Sequence, residues 1–319
     1  MENRQFELEK VPNSCPGAES ERAGKEEPCQ GCPNQQICKS GELQQEKEIC
    51  NFYCLTVLNS IQSKFQDVKK IILVMSGKGG VGKSTVAMLI ARSISHYTDH
   101  EVGYLDIDLC GPSTSRLFGV NGEYDLIRKV STDNINVMST DFLLKPKDAL
   151  IWRGPKKNSL IKELLLNVNW EGVEYLIVDT PPGTTDEHIS LVEMLKKCHQ
   201  TCVVMVTTPQ EVSLSDVRKQ INFIKKTDIK LLGVVENMSS FICPCCKFES
   251  KILPASKNSF KGTEYEPLCY LPFDRNISYC ESNGLNPFEE IKEENHPVID
   301  AIRTFVNSSL FLNQEFILA

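Results

Sequence analysis

The chain has 319 residues, of which 41% are hydrophobic and 24% charged, so it can bury a full core and is too mixed for a disordered or fibrous protein. Its 42 acidic and 35 basic residues give a net charge of -7, which excludes a global positive field that would attract nucleic acid or anionic lipid. No apolar run approaches the roughly 18 residues of a membrane span, and the first residues lack the apolar region of a secretory signal. We therefore expect a cytoplasmic protein with no nucleic-acid or membrane partner.

The first predicted segment is a cysteine-rich arm over residues 1–50. Its Pro and Gly residues are many and its aliphatic residues few, so it cannot bury a core unaided. Of its five cysteines, four lie before residue 40, in the Pro- and Gly-rich part: Cys15, Cys29, Cys32 and Cys38. Because a reducing cytosol disfavours disulfides, they are predicted metal ligands, for either Zn2+ or an iron-sulfur cluster; the spacing does not choose between them. An apolar spacing of helical period then predicts a connecting helix over residues 51–68.

Residues 69–319 are predicted to form one domain. Apolar runs alternate with segments of helical periodicity, a pattern that is typical of a parallel sheet covered by helices on both faces. The predicted strands are Ile71–Met75, Val102–Ile107, Ile135–Ser139, Tyr175–Val178, Thr201–Val206, Lys230–Val235 and Leu268–Phe273. The predicted helices, besides one after the first strand, are 157–167, 186–197, 213–226 and 297–311. We predict a doubly wound, mostly parallel α/β fold.

A glycine-rich loop follows the first strand and precedes a helix, and it fits the P-loop pattern G-x-x-x-x-G-K-[ST]. Its backbone N–H groups and the helix N-terminus suit phosphate oxygens. Lys83 is expected to reach the β- and γ-phosphates of ATP, and the Ser84 hydroxyl to bind Mg2+. The predicted nucleotide-binding residues of the loop are Gly77, Lys78, Gly79, Gly80, Val81, Gly82, Lys83, Ser84 and Thr85.

Lys78 is a second lysine, directly after the first glycine of the loop. The sequence GKGGVGKST resembles the deviant P-loop of the MinD, Mrp and nitrogenase-iron-protein class. In that class the additional lysine crosses a dimer interface to the partner's nucleotide, and a cation supplied in this way can accelerate hydrolysis by about 10^3- to 10^5-fold. The resemblance implies that dimerisation is part of catalysis, with Lys78 and Lys83 among the catalytic residues.

Polar residues also follow three other predicted strands. Asp106 lies near the end of the second strand and Asp108 directly after it, and Asp179 ends the apolar run of the fourth, so all three lie at the edge where parallel sheets bind ligands. We expect Asp108 to orient or activate the attacking water, Asp106 to lie nearer the metal, and Asp179 to hold the Mg2+ shell. Asn237 follows a later strand, where this class places an Asn on the adenine; the alternative is an ordinary turn residue.

A second cysteine group, Cys243-Pro-Cys245-Cys246, lies just past Asn237. Cys243 and Cys246 are one pair and cannot close a four-ligand site, but two pairs from two subunits can, which predicts a metal centre on a two-fold axis. A redox pair and packing cysteines are the alternatives. Cys245 is a third thiol that could substitute as a ligand. The remaining cysteines of the ATPase domain are predicted to be buried: Cys110, Cys198, Cys202, Cys269 and Cys280.

The motifs GKGGVGKST, DIDLCGPS, WRGPKK, DTPPGTTDEH, ENMS and CPCC occur in this order. With them, residues 70–280 resemble the Mrp/Nbp branch of the MinD-like ATPases, and the arm resembles that of its eukaryotic members in cytosolic iron-sulfur assembly. The resemblance implies a stable 4Fe-4S cluster on the four arm cysteines and a labile one shared by the Cys243 and Cys246 pairs of two subunits. It also implies a homodimer or a heterotetramer with an arm-less paralogue, and acceptor and targeting proteins as further partners. Cys245 departs from the family pattern.

These motifs favour an ATP-dependent scaffold that assembles 4Fe-4S clusters and transfers them to cytosolic and nuclear apoproteins. The alternative is a positioning ATPase of MinD type with structural zinc. Such proteins end in a basic amphipathic helix, whereas residues 297–319 contain one Arg and no Lys. A third hypothesis is electron donation, as by the nitrogenase iron protein, which shares the bridging cluster but not the arm.

Overall fold

A computed structural model describes residues 15, 20, 22–40, 55–109, 111–120, 128–129, 133–143, 154–254 and 260–310. The chain divides into two compact units, Met1–Ser60 and Ile61–Ala319. The predicted domain limits, 1–50, 51–68 and 69–319, remain a prediction. Trp152, Arg153 and Cys110 lie outside the described residues, as does most of the arm.

The described part of the first unit consists of short turns, one short helix and the start of a second helix. A 3-10 turn spans Glu27–Cys29 and helix α1 spans Gln35–Ser40. Helix α2, described over residues 55–64, contains the boundary between the units and lies within the predicted connecting helix. The cysteine-rich segment is therefore built from local hydrogen bonds, as expected for a sequence with few aliphatic residues.

The second unit is built on a sheet that has nine strands among the described residues, in the order β3-β4-β2-β5-β1-β6-β7-β8, with β9 also paired to β7. Their bounds are β1 Lys70–Ser76, β2 Val102–Asp106, β3 Arg128–Lys129, β4 Ile135–Ser139, β5 Tyr175–Asp179, β6 Thr201–Thr207, β7 Lys230–Ile242, β8 Glu249–Ser250 and β9 Cys269–Phe273. The two-residue strands β3 and β8 pair antiparallel, and all other pairs are parallel.

The connecting helices pack on this sheet. They are α3 Lys83–Tyr97, α4 Thr114–Phe118, α5 Gly154–Leu166, α6 Asp186–Leu195, α7 Glu211–Thr227, α8 Arg275–Asn283, α9 Pro287–Glu290 and α10 Pro297–Leu310. Helix α3 contacts β1, β2 and β5, helix α7 contacts β6 and β7, and α10 contacts β9. Strands β2, β5 and β6 are buried along their whole length, as is typical of parallel strands covered on both faces. The predicted doubly wound α/β fold is confirmed.

The sequence pattern did not predict the short strands and helices or the full length of β7. Strand β7 continues seven residues past Val235, to Ile242, and carries an irregularity in its pairing with β9. Helix α8 begins where the Asp274 side chain accepts the N–H groups of Asn276 and Ile277.

As predicted, four single cysteines are buried: Cys198, Cys202, Cys269 and Cys280. Among the described residues, no helix is long and apolar enough to cross a bilayer.

Candidate functional site

The P-loop connects the carboxyl end of β1 to the first turn of α3. A Cβ added to Gly77 would lie 2.7 Å from the backbone of Asp216 in α7, so only glycine fits there. Gly82 has a φ of 82° and precedes the first residue of α3, a left-handed conformation that glycine adopts without strain. The loop therefore has the backbone and the helix N-terminus that phosphate binding requires.

The structure brings together three predicted site residues at the end of β5. Lys83 is 6% exposed and forms an ion pair with Asp179, whose carboxylate is fully buried. The Lys83 ammonium also donates to the Ser84 hydroxyl oxygen over 3.3 Å. The Tyr104 hydroxyl donates to the other oxygen of Asp179 over 3.3 Å. The basic and acidic residues assigned to phosphate and Mg2+ are thus direct neighbours.

Asp106 organises the loop that follows β2. Its fully buried carboxylate accepts from the N–H groups of Asp108 at 2.9 Å and Ser113 at 3.3 Å, and from the hydroxyls of Thr114 at 2.7 Å and Ser139 at 3.4 Å. Burial raises the pKa of Asp106, and repulsion from Asp179 adds to this effect. Asp108 is only half-buried, and its carboxylate accepts the Gly111 N–H over 3.3 Å. Asp106 therefore shapes the loop that presents Asp108, and their assigned roles remain predictions.

Asn237 contacts the P-loop directly. Its side-chain amide donates to the Val81 carbonyl over 3.0 Å, and the residue is 7% exposed. A Cβ on Gly82 would overlap this amide group. Asn237 therefore supports the loop backbone in the described structure, and its contact with adenine remains a prediction.

The four arm cysteines lie in one neighbourhood of the first unit. Cys29 is buried, and Cys15, Cys32 and Cys38 are half-buried. Burial raises the pKa of the Cys38 thiol, and the charges of the Cys15, Cys32 and Cys29 thiols raise it further, so all four are close enough to interact. No set of three or more Cys, His, Asp or Glu within the described ranges has the geometry of a metal site. The donor chemistry of four thiols nevertheless fits a soft metal centre.

The second cysteine group forms a tight loop between β7 and β8. The Lys247 N–H donates to the Cys243 carbonyl over 2.8 Å, the Cys243 N–H donates to the Phe248 carbonyl over 3.0 Å, and Lys247 has a φ of 58°. Hydrogen bonds from the backbone N–H groups of Cys246 and Cys245 lower the pKa of the Cys243 thiol. Cys245 and Cys246 are exposed. We call residues 243–247 the cysteine loop; it exposes Cys245 and Cys246, and its backbone N–H groups lower the pKa of Cys243.

Comparison with known proteins identifies the family of this chain. A family model described as ParA, NUBPL iron-transfer P-loop NTPase, matches residues 67–308. The Cytosolic Fe-S cluster assembly factor NUBP1 homolog from Brugia malayi is 44% identical over 296 residues, which cover 88% of this chain and 92% of that protein. The chain belongs to the NUBPL iron-transfer P-loop NTPase family. The family resemblance drawn from the motifs is thereby confirmed.

Solved structures agree with the fold of this family. The nucleotide-binding protein from Archaeoglobus fulgidus, described as a complex with ADP with Co found, is 31% identical, with a TM-score of 0.61 over 73% of this chain and 94% of that one. The septum site-determining protein MinD from Pyrococcus horikoshii, complexed with Mg-ADP, is 19% identical, with a TM-score of 0.54 over 75% of this chain and 95% of that one. At that identity the MinD similarity shows the fold alone.

Two polar residues of this family member lie beside the nucleotide site and were not assigned a role from sequence. Burial raises the pKa of the Glu281 carboxyl group in α8, and the nearby Thr85 side chain partly offsets this rise. No local signal marks Glu281, because α8 reaches α3 only through the tertiary fold. His188 lies in the DTPPGTTDEH motif. This motif contributed to the family resemblance, but it predicted no role for the His188 side chain.

His188 is a neutral, buried side chain that holds the loop after β5. It is 1% exposed, its Nδ1 accepts the Thr185 N–H over 3.2 Å, and its Nε2 lies 3.2 Å from the Thr180 hydroxyl oxygen. Because Nδ1 accepts, the proton is on Nε2, which donates to Thr180. Burial lowers the pKa of His188 to about 4, against partial compensation from Glu187.

This lowered pKa predicts a loss of stability in acid. In the unfolded chain the pKa of His188 is near 6.5, whereas in the folded chain it is about 4. Between these two pH values the unfolded chain binds a proton at His188 that the folded chain does not bind, so the free energy of unfolding falls as the pH drops towards 4. The contribution of His188 to this loss is about 3 kcal/mol over that window. Denaturant unfolding of the metal-free chain at several pH values from 4 to 7 measures this loss. In His188→Gln the free energy of unfolding should depend less steeply on pH, by the contribution of His188. His199→Gln, at an exposed position, is the control; an unchanged slope in His188→Gln contradicts the prediction.

Proposed function

We propose that this chain is an ATP-dependent scaffold that assembles 4Fe-4S clusters and transfers them to cytosolic and nuclear apoproteins. The family match and the description of the Brugia malayi relative confirm the predicted place in cytosolic iron-sulfur cluster assembly. The observation that carries the finer proposal is that one strand, β7, contacts the P-loop through Asn237 and ends in the cysteine loop. One strand thus connects a contact with the nucleotide site to the start of the thiol site.

The nucleotide chemistry follows from the residues around Lys83. We expect ATP to replace Asp179 as the partner of Lys83, because the β- and γ-phosphates offer more negative charge to the same ammonium group. Asp179 and the Ser84 hydroxyl are then free for the Mg2+ shell. Asp108 orients the attacking water, and Lys78, which is exposed, reaches the nucleotide of a second subunit. The Archaeoglobus fulgidus relative, solved with ADP, supports nucleotide binding at this fold position.

The two thiol groups take different roles in the proposal. The four arm cysteines hold a stable cluster, since they come from one chain and supply one thiolate for each iron. The cysteine loop supplies only Cys243 and Cys246, so a second pair from a matching subunit completes the ligand set of a labile cluster. That subunit is a second copy or an arm-less paralogue in a heterotetramer. The exposure of Cys246 and the N–H donors to Cys243 support a shared, transferable site.

Anaerobic reconstitution with iron and sulfide tests this function. The full chain should take up about six iron atoms, four on the arm and half of a shared cluster, with the EPR signal of reduced 4Fe-4S clusters. A paired apoprotein acceptor should receive the labile share faster with ATP than without it. A colourless protein that binds zinc and accepts neither iron nor sulfide would instead support a positioning ATPase with structural zinc.

A further inference from the structure

Strand β7 connects the P-loop contact to the cysteine loop without an intervening turn. Asn237 donates to the Val81 carbonyl, and Cys243 follows six positions later, directly after the end of the strand. Asn237 is 7% exposed, and its amide leaves no room for even a Cβ on Gly82. A displacement of the P-loop backbone at Val81 and Gly82 must therefore move Asn237 or break its hydrogen bond.

The same strand is irregular between these two points. Asn237 pairs with Leu271 and Phe241 with Phe273, so four steps along β7 match two along β9. Two extra residues are accommodated there, which makes the segment a bulge. Bulges interrupt the ladder and change the direction of a strand, so a small shift before the bulge can alter the orientation of the residues beyond it.

Two residues with a strained backbone lie near the cysteine pair, one in the bulge before the cysteine loop and one at the last position of that loop. Four non-glycine residues have a left-handed φ among the described residues: Asp228, Met238, Lys247 and Asn295. Asp and Asn tolerate this conformation because their short polar side chains bond locally, whereas Met and Lys do not. Met238, with a φ of 54°, is in the bulge, and Lys247, with a φ of 58°, follows Cys246. Strained residues of this kind occur at switching segments.

We propose that the Met238 bulge couples nucleotide occupancy of the P-loop to the conformation of the cysteine loop within one chain. Phosphate binding shifts the Val81 and Gly82 backbone, Asn237 follows, and the strained bulge moves Cys243 relative to Cys246. The proposal rests on the proposed function for the cargo of the loop, because a changed thiol geometry would regulate how tightly a shared cluster is held. It makes Met238 a positioning residue, which follows Asn237 directly and precedes Cys243 by five positions.

Thiol alkylation in the metal-free full chain tests this coupling independently of cluster chemistry. The iodoacetamide reaction rates of Cys243, Cys245 and Cys246 are measured with and without Mg-ADP, by mass spectrometry of the peptide that contains them. In the wild type, Mg-ADP should change at least one rate by about two- to thirty-fold, the range of measured coupling energies. In Met238→Gly, which removes the strain, the change should fall below about two-fold while calorimetry shows unchanged Mg-ADP affinity.

A matched control separates coupling from a general effect of glycine. Asp228→Gly removes the side chain of another residue with a left-handed backbone, the C-cap of α7. This variant should retain the wild-type response to Mg-ADP. Met238→Asn, whose side chain tolerates the left-handed backbone, replaces Met238→Gly if that variant unfolds, with the same expected loss. A full Mg-ADP response in both Met238 variants overturns the proposal, and so does a wild type whose thiols ignore bound Mg-ADP. A loop that responds to Mg-ADP but takes up no iron contradicts the proposed function alone.

Discussion

Replacing Cys243 or Cys246 with Ala removes the labile iron and leaves the arm cluster in place. Each change deletes one ligand from both halves of a shared site, so about two of about six iron atoms per chain are lost and transfer to an apoprotein stops. Folding is retained, because Cys246 is exposed and Cys243 is only half-buried at the end of β7. Iron and sulfide analysis after anaerobic reconstitution, with EPR and an acceptor assay, measures the result.

Cys245→Ala is the matched control for this experiment, because it removes an equally exposed thiol from the same loop. Its iron content and transfer rate should equal those of the wild type. Full iron stoichiometry in Cys243→Ala and Cys246→Ala contradicts a shared cluster on this pair. A comparable loss in Cys245→Ala would show instead that the third thiol serves as a ligand.

Lys78→Met is expected to lower ATP hydrolysis by about 10^3-fold or more while nucleotide binding persists. The reason is that a cation aimed at the phosphates from a second subunit stabilises charge that develops in the transition state. Lys78 is exposed and lies outside the Lys83 and Asp179 ion pair, so the fold and the thermal midpoint should not change. Single-turnover hydrolysis and calorimetric binding of ADP measure the two effects separately. Lys226→Met, at another exposed position, should behave as the wild type.

A mixing experiment distinguishes a lysine that acts across the dimer from one that acts on its own nucleotide. Lys83→Gln removes the phosphate-binding ammonium group but leaves Lys78 intact. In a mixed dimer with Lys78→Met, one composite site has both lysines, so random mixing should restore about a quarter of wild-type hydrolysis. No recovery from the mixture, with mixed dimers present, would place Lys78 on the nucleotide of its own chain.

Several features of this protein could be read from short stretches of sequence. The P-loop was predictable because its glycines, Lys83 and Ser84 are contiguous and lie between an apolar strand and a helical pattern. The central strands were predictable because parallel strands buried on both faces have near-continuous apolar runs. The spacing of Cys243 and Cys246 predicted a candidate metal site, with a redox pair and packing cysteines as alternatives. Each of these signals is local, so it survives without knowledge of the rest of the fold.

The tertiary structure decided which residues meet across the sheet. Lys83 and Asp179 are 96 positions apart, and Asn237 and Val81 are 156 apart, so their contacts depend on strand order and register. The neutral state of His188, the contact of Glu281 with Thr85 and the bulge at Met238 also depend on how separate elements pack. Composition and periodicity specify which segments become strands and helices, because those preferences are set by neighbouring residues. Contacts between distant segments are set by burial and packing of the whole domain, which no local pattern records.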